Sequence, residues 1–175
     1  MNREILIPRE TILKRVRELG EQISADYADK DTVLIGILNG VVFFFADLVR
    51  YISISTKIDF IRVSSYGSKM CSNGEICWTK DVEIPIEGKS VIIVEDIVDT
   101  GATLANVIRR LEERRPESIR ICALIDKSER REIHFPVHYY GFRVKEGFLV
   151  GYGLDYNEEY RCLSDICVLR EKNAC

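Results

Sequence analysis

Residues 91–104 read VIIVEDIVDTGATL, and this stretch decides the fold because it joins an apolar strand, two acidic residues, a glycine-centred turn and a helix start. Val91, Ile92, Ile93 and Val94 form a β-branched run suited to a strand buried on both faces, the habit of parallel sheets covered by helices. Leu104, Val107, Ile108 and Leu111 recur at i, i+3, i+4 and i+7, so the spacing predicts a helix with one apolar face. Between strand and helix, Asp99, Thr100, Gly101, Ala102 and Thr103 offer hydroxyls and backbone N–H groups at a helix N-terminus, where phosphate is favoured. Glu95 and Asp96 would repel that phosphate unless they bind something else, such as sugar hydroxyls or a divalent cation. Phosphate, diol and metal together suggest a ribose phosphate.

Outward from this stretch the chain alternates strands and helices, as a parallel sheet covered on both faces requires. Ile12, Val16, Leu19 and Ile23 mark an amphipathic helix that opens near Pro8. Residues 32–38 read as a strand, 41–49 as a helix so apolar that only Asp47 breaks it, and 57–65 as a second long strand. A helix that greasy is expected to be buried, in part against another subunit, so a homodimer or homotetramer is expected. Residues 67–80 are long for a structureless connection, so they form a hairpin turning at Asn73-Gly74, move as a lid, or do both. Further strands are expected at 118–125, 137–142, 148–152 and 165–169. With 175 residues, 46% of them hydrophobic, one domain spanning residues 1–175 is the economical reading.

Composition narrows the function classes. A net charge of −3 argues against nucleic acid as the main partner, which calls for a basic face. The N-terminus MNREILIPRE lacks an apolar signal core, and no run approaches the roughly 18 apolar residues of a membrane span, so a cytoplasmic protein without a membrane partner is expected. Six cysteines without a C-x-x-C pair read as free thiols, Cys122 as a core residue and Cys71 and Cys77 in a polar loop. His134 and His138 have a metal-like spacing of four, but Pro136 between them argues against the helix that would align them.

The acidic pair Glu95-Asp96 followed by Asp99-Thr100-Gly101-Ala102-Thr103 resembles the phosphoribosyl pyrophosphate loop of the type I phosphoribosyltransferases, and Asp99 before Thr-Gly resembles the branch acting on 6-oxopurines. The resemblance implies an α/β fold with a central, mostly parallel sheet flanked by helices and a small hood from the terminal segments. It also implies phosphoribosyl pyrophosphate and a 6-oxopurine as substrates, with Mg2+ as cofactor. Under it, Glu95 and Asp96 hold the ribose hydroxyls and the metal, residues 100–103 hold the 5-phosphate, and Asp99 hydrogen-bonds purine N7 and takes its proton.

Further segments extend the resemblance over residues 38–161. Leu38-Asn39-Gly40-Val41 stands in the place of the pyrophosphate loop; many relatives carry Lys or Arg at Asn39 and Gly or Ser at Val41, so backbone and metal are expected to hold most of the pyrophosphate here. Ser65-Tyr66 resembles the pair at the flexible loop that closes over the reacting centre. Lys127, closing the strand ICALID, matches the lysine that donates to the purine 6-oxo group. In FLVGYGLDYNE, Phe148 matches the aromatic that stacks on the purine, Leu149 the residue whose backbone reads the base, and Asp155 the aspartate that places magnesium; Arg161 matches a residue facing pyrophosphate.

Overall fold

The computed structural model describes residues 2–64 and 77–170. The chain opens with a strand, β1 (Asn2–Ile7), and a helix, α1 (Arg9–Asp26), followed by β2 (Thr32–Leu38), α2 (Val42–Arg50), β3 (Thr56–Ser64) and β4 (Cys77–Lys80). The second half runs β5 (Ser90–Val98), α3 (Ala102–Glu112), β6 (Ser118–Asp126), a single 3-10 turn over Ser128–Arg130, β7 (Tyr139–Arg143), β8 (Phe148–Val150) and β9 (Ile166–Arg170). Six strands form one sheet in the order β4-β3-β2-β5-β6-β7, parallel except for β4 at the edge. The other three, β1-β9-β8, form a small antiparallel sheet from the two ends of the chain, the expected hood.

The period of two in the central strands divides their side chains between two cores. Leu34, Ile92, Val94, Cys122 and Leu124 face α1 and α2, meeting Ile12, Val16, Leu19, Phe44 and Leu48. Val33, Ile35, Val91, Ile93 and Ile121 face the other way and pack on Leu104, Val107 and Leu111 of α3. Both faces of β5 are therefore dry over residues 91–94, which is why that stretch is continuously apolar rather than alternating. Gly36 of β2 lets the rings of Phe45 and Phe60 meet with centroids 4.7 Å apart, because a Cβ at that position would lie 2.9 Å from both.

Several boundaries differ from the sequence reading for identifiable reasons. The strand expected over 148–152 stops at Val150, since Gly151, Tyr152 and Gly153 all have positive φ (98°, 52° and 102°), which a strand does not accommodate. The end of the long loop, Cys77–Lys80, pairs antiparallel with β3, so the arms of a hairpin exist, while its expected turn at Asn73-Gly74, with Cys71, lies outside the described residues. The helix expected to be buried on most sides buries Phe44, Phe45 and Leu48 but leaves Val42 and Phe43 exposed, at 43% and 39%. Among the described residues no helix is long and apolar enough to cross a membrane.

Topology fixes where a ligand can sit. From β2 the chain winds outward through α2 to β3 on one side, then returns to β5 on the other side of β2 and continues through β6 and β7. The strand order reverses between β2 and β5, and a crevice at the carboxyl ends of those strands is the usual ligand site of open α/β sheets. Residues 38–41 lie at the end of β2 and residues 95–103 at the end of β5, so two of the segments singled out from sequence meet there.

Candidate active site

Close packing at the crevice starts with two glycines. A Cβ on Gly40 would collide with the Asp96 carboxylate, and one on Gly153 would collide with the Gly40 carbonyl oxygen, so the turn after β2 is wedged between the acidic pair and the loop after β8. Only glycine permits that approach at position 40. Asn39 beside it is exposed, and its peptide bond with Leu38 is cis.

Glu95 and Asp96 sit side by side at the end of β5, and burial pushes both carboxyls above their ordinary range, with mutual repulsion adding to the rise at Glu95. The nearby Arg161 guanidinium partly offsets the effect at Asp96. Asp96 lines a cavity of about 500 Å3, whereas Glu95 lies behind it, its Oε1 accepting the Asp96 N–H at 3.3 Å.

The turn after β5 forms a cup. Gly101, with φ +89°, caps α3 in the left-handed region, and the Thr100 hydroxyl oxygen accepts the Ala102 N–H at 3.4 Å. Ala102 and Thr103 begin α3, putting its N-terminal amides beside the turn, where the helix dipole favours an anion. Asp99 lines the cavity; its Oδ2 is 3.1 Å from Nη1 of Arg130, while its Oδ1 is buried without a hydrogen-bond partner. A buried orphan carboxylate oxygen costs on the order of 1–3 kcal/mol or more, a cost that a ligand N–H would remove.

Opposite Asp99 is Lys127, 4% exposed at the end of β6, its Nζ donating to the Gly147 carbonyl at 2.7 Å. Burial pushes this amine below its ordinary range, opposed by the Asp99 charge and reinforced by Arg130. An ammonium has three donors, so donors remain for a ligand acceptor. The hood supplies the remaining wall: Phe148 is 51% exposed, held edge-on to Tyr156 with ring centroids 5.3 Å apart, and Leu149 beside it is buried. An exposed ring beside a cavity that already holds one aromatic neighbour is a stacking platform.

Asp155 also lines the cavity. Its Oδ2 accepts the Glu158 N–H at 2.9 Å and its Oδ1 lies 2.9 Å from Arg161, whose Nη1 donates to the Gly153 carbonyl at 2.7 Å. Arg161 thereby ties the hood loop together on the side that touches Gly40.

The structure thus brings Asp96, Asp99, Lys127, Phe148, Leu149 and Asp155 around one cavity, with residues 100–103 adjoining as the cup and Gly40 and Arg161 at the β2 end. Ser65 and Tyr66 lie outside the described residues. Sequence reasoning missed Ile97, Arg130, Gly147 and Leu154, which also line the cavity. Ile97 had a usable signal, since it stands between Asp96 and Asp99; Arg130 had none, being one arginine in the charged run SERRE. Among the described residues no group of three or more acidic, histidine or cysteine side chains gathers as a metal cluster. His138 immediately precedes β7, and its Nδ1 accepts the Ile121 N–H at 3.1 Å.

Comparison with known proteins agrees with this geometry. Residues 4–157 match the phosphoribosyl transferase domain model. The chain is 46% identical over 162 residues to hypoxanthine phosphoribosyltransferase of Escherichia coli strain K12, covering 91% of each chain. It is 41% identical over 167 residues to hypoxanthine-guanine phosphoribosyltransferase of Bacillus subtilis strain 168, covering 95% of this chain and 93% of the relative. A crystal structure of a hypoxanthine phosphoribosyltransferase from Staphylococcus aureus superposes with a TM-score of 0.89 at 41% identity, covering 95% of this chain and 91% of that one. An acidic pair beside a helix-capping cup, an orphan carboxylate facing a buried lysine, and this likeness along nearly the whole chain lead to one conclusion: the protein belongs to the phosphoribosyltransferase family, in its hypoxanthine and hypoxanthine-guanine branch.

Proposed function

We propose that the protein transfers the 5-phosphoribosyl group of phosphoribosyl pyrophosphate to hypoxanthine, and also to guanine, giving IMP or GMP and pyrophosphate in purine salvage. The observation that carries this reading is Asp99, a cavity-lining carboxylate with one buried oxygen lacking a partner, opposite the buried Lys127 ammonium. A 6-oxopurine suits that pair: its N7–H donates to Asp99 and its 6-oxo oxygen accepts from Lys127, while Phe148 stacks on the ring. The bond from purine N9 to C1 of the ribose forms, the bond from C1 to the pyrophosphate oxygen breaks, and the N7 proton passes to Asp99. Residues 100–103 hold the 5-phosphate through backbone amides and hydroxyls, and Glu95 and Asp96 hold the ribose side of the substrate, Asp96 directly and Glu95 from behind. Gly40 admits the turn at residues 39–41 close to Asp96, with Asn39 and Arg161 on the pyrophosphate side.

The donor set also fits Mg2+, which takes hard oxygen ligands, keeps several waters and is commonly held by one or two carboxylates plus substrate phosphates rather than by an all-protein cage. Asp96 and Asp155, which both line the cavity, would provide those carboxylates, with Glu95 supporting Asp96 from the preceding position, and a bound cation would offset the burial that raises both acids of the pair. When bound, the ion would supply charge stabilisation on the departing pyrophosphate.

We also propose that the whole chain acts as one catalytic unit in the cytoplasm, and that it assembles as a dimer or tetramer through the α2 surface bearing Val42 and Phe43. Light scattering of Phe43→Glu, compared with the unmodified protein, tests the assembly: retention of the oligomer would move the interface elsewhere.

The activity is tested by ultraviolet absorbance with Mg2+, phosphoribosyl pyrophosphate and, separately, hypoxanthine, guanine, xanthine or adenine. Conversion of hypoxanthine and guanine, without adenine, is expected. Conversion of adenine at a comparable rate, or of no base, would overturn the reading.

A further inference from the structure

Two adjacent arginines follow β6, and they do different things. Arg130 is 57% exposed and touches the Asp99 carboxylate, whereas Arg131 is 5% exposed and runs underneath the same turn. Arg131 Nη2 lies 2.6 Å from Asp126 Oδ1, and its guanidinium stacks 4.9 Å from the Phe135 ring centroid. The same guanidinium donates to two consecutive carbonyls, Nε to Asp99 at 3.1 Å and Nη2 to Val98 at 3.3 Å. The backbone beside it continues the pattern: Lys127 N–H donates to the Val98 carbonyl at 3.0 Å, and Glu132 and Ile133 N–H donate to the Thr100 carbonyl at 3.0 and 3.2 Å. Three successive carbonyls, at residues 98, 99 and 100, are thus all drawn toward residues 127–133.

A trans peptide is planar, with its N–H opposite its C=O. Drawing those three carbonyls to one side turns the N–H groups of Asp99, Thr100 and Gly101 to the other, next to the first amides of α3. The middle carbonyl, on Asp99, is held by the Arg131 side chain without a backbone N–H beside it, whereas the Val98 carbonyl takes both Arg131 and the Lys127 N–H. Gly101 closes the packing, since a Cβ there would lie 3.0 Å from Arg131 Cδ and 2.9 Å from the Ile133 carbonyl oxygen. A buried ion pair contributes little net stability compared with an apolar pair, but a planar guanidinium can hold a carboxylate and two carbonyls in fixed relation, which a lysine ammonium cannot.

We infer that Arg131, anchored by Asp126, is a positioning residue that presets the amides of residues 99–101 as the receptor for the 5-phosphate. The inference rests on the proposed function in one respect, that residues 100–103 receive this phosphate, to which it adds the Asp99 N–H. Arg131 touches no substrate; it acts through the backbone.

The test uses Arg131→Lys, which keeps a charge opposite Asp126 but lacks the fork, and the uncharged double variant Arg131→Gln/Asp126→Asn, which leaves no unpaired buried ion. Folding is checked by circular dichroism, and calorimetry measures binding of IMP and of inosine, which differ only in the phosphate. In both variants IMP affinity is expected to fall about 10- to 100-fold, the equivalent of a lost hydrogen bond to a charged group, with inosine affinity held within about twofold. KM for phosphoribosyl pyrophosphate should rise by a similar factor while KM for hypoxanthine does not. Should folded variants keep the preference for IMP, or lose both ligands equally, the inference is overturned and the activity reading stands. Should the unmodified protein bind IMP no better than inosine, the phosphate assignment of residues 100–103 falls and the inference with it.

Discussion

Asp99 combines two demands in one side chain. Its Oδ2 is paired with Arg130, beside the Lys127 amine, while its Oδ1 is left for a ligand. If it takes the purine proton, Asp99→Asn should lower kcat by about 10²–10⁴ with the fold unchanged, measured by steady-state kinetics with hypoxanthine; an unaltered kcat would remove it from proton transfer. The sequence around Asp99 was informative because residue types with conflicting preferences stand together: an acidic pair and a phosphate cup make sense only with a ligand between them. Arg131 was illegible by the same standard. In SERRE it is indistinguishable from its neighbour, and only the fold turns one arginine outward and the other inward.

Elements with strong local patterns were legible from end to end. Strand β2 falls on residues 32–38 as expected, and α1 opens after Pro8, because a β-branched run and an i, i+3, i+4 stripe each declare themselves within ten residues. Strand β1 did not: NREILI is mostly exposed, and its partner β9 lies at the other end of the chain, so no local pattern records the pairing. The segment after β4 is another case where a single polar side chain organises the chain. Asp59 of β3, 7% exposed, accepts N–H groups from Phe60, Glu83 and Ile84 at 2.7, 2.7 and 3.0 Å, and the Lys80 ammonium at 3.1 Å. Burial alone would raise its carboxyl; these donors outweigh burial and hold it below the usual range. Because the folded value is the lower one, its stabilisation is complete above the unfolded value of about 4 and is lost as pH falls through the folded value. Asp59→Asn should therefore cost about 2–3 kcal/mol in urea unfolding at pH 7, with a smaller difference from the unmodified protein below about pH 3. An equal difference at both pH values would assign the loss to packing instead of charge.

At the scale of the molecule, the site exists only where hood and sheet meet. Asp99 and Lys127 come from the ends of β5 and β6, Phe148 from the hood, and the two parts are fastened by contacts far apart in sequence. Tyr152 donates its hydroxyl to Asp47 Oδ2 of α2 at 2.6 Å, and the Arg9 N–H donates to Asp165 Oδ1 at 2.8 Å. Removing the first by Tyr152→Phe should lower the unfolding free energy by about 1–3 kcal/mol, read by thermal or urea denaturation; a change below about 0.5 kcal/mol would mean the hood is held by its apolar contacts. We propose that this composite cavity selects a 6-oxopurine through Lys127, a role read from the ratio of kcat/KM for hypoxanthine to that for adenine in the unmodified protein and in Lys127→Met. A site built to donate to an oxo group should favour hypoxanthine by about 10⁴ or more, and the variant should lose most of that preference. An undiminished ratio in a folded, active Lys127→Met protein would show that Lys127 does not select the base.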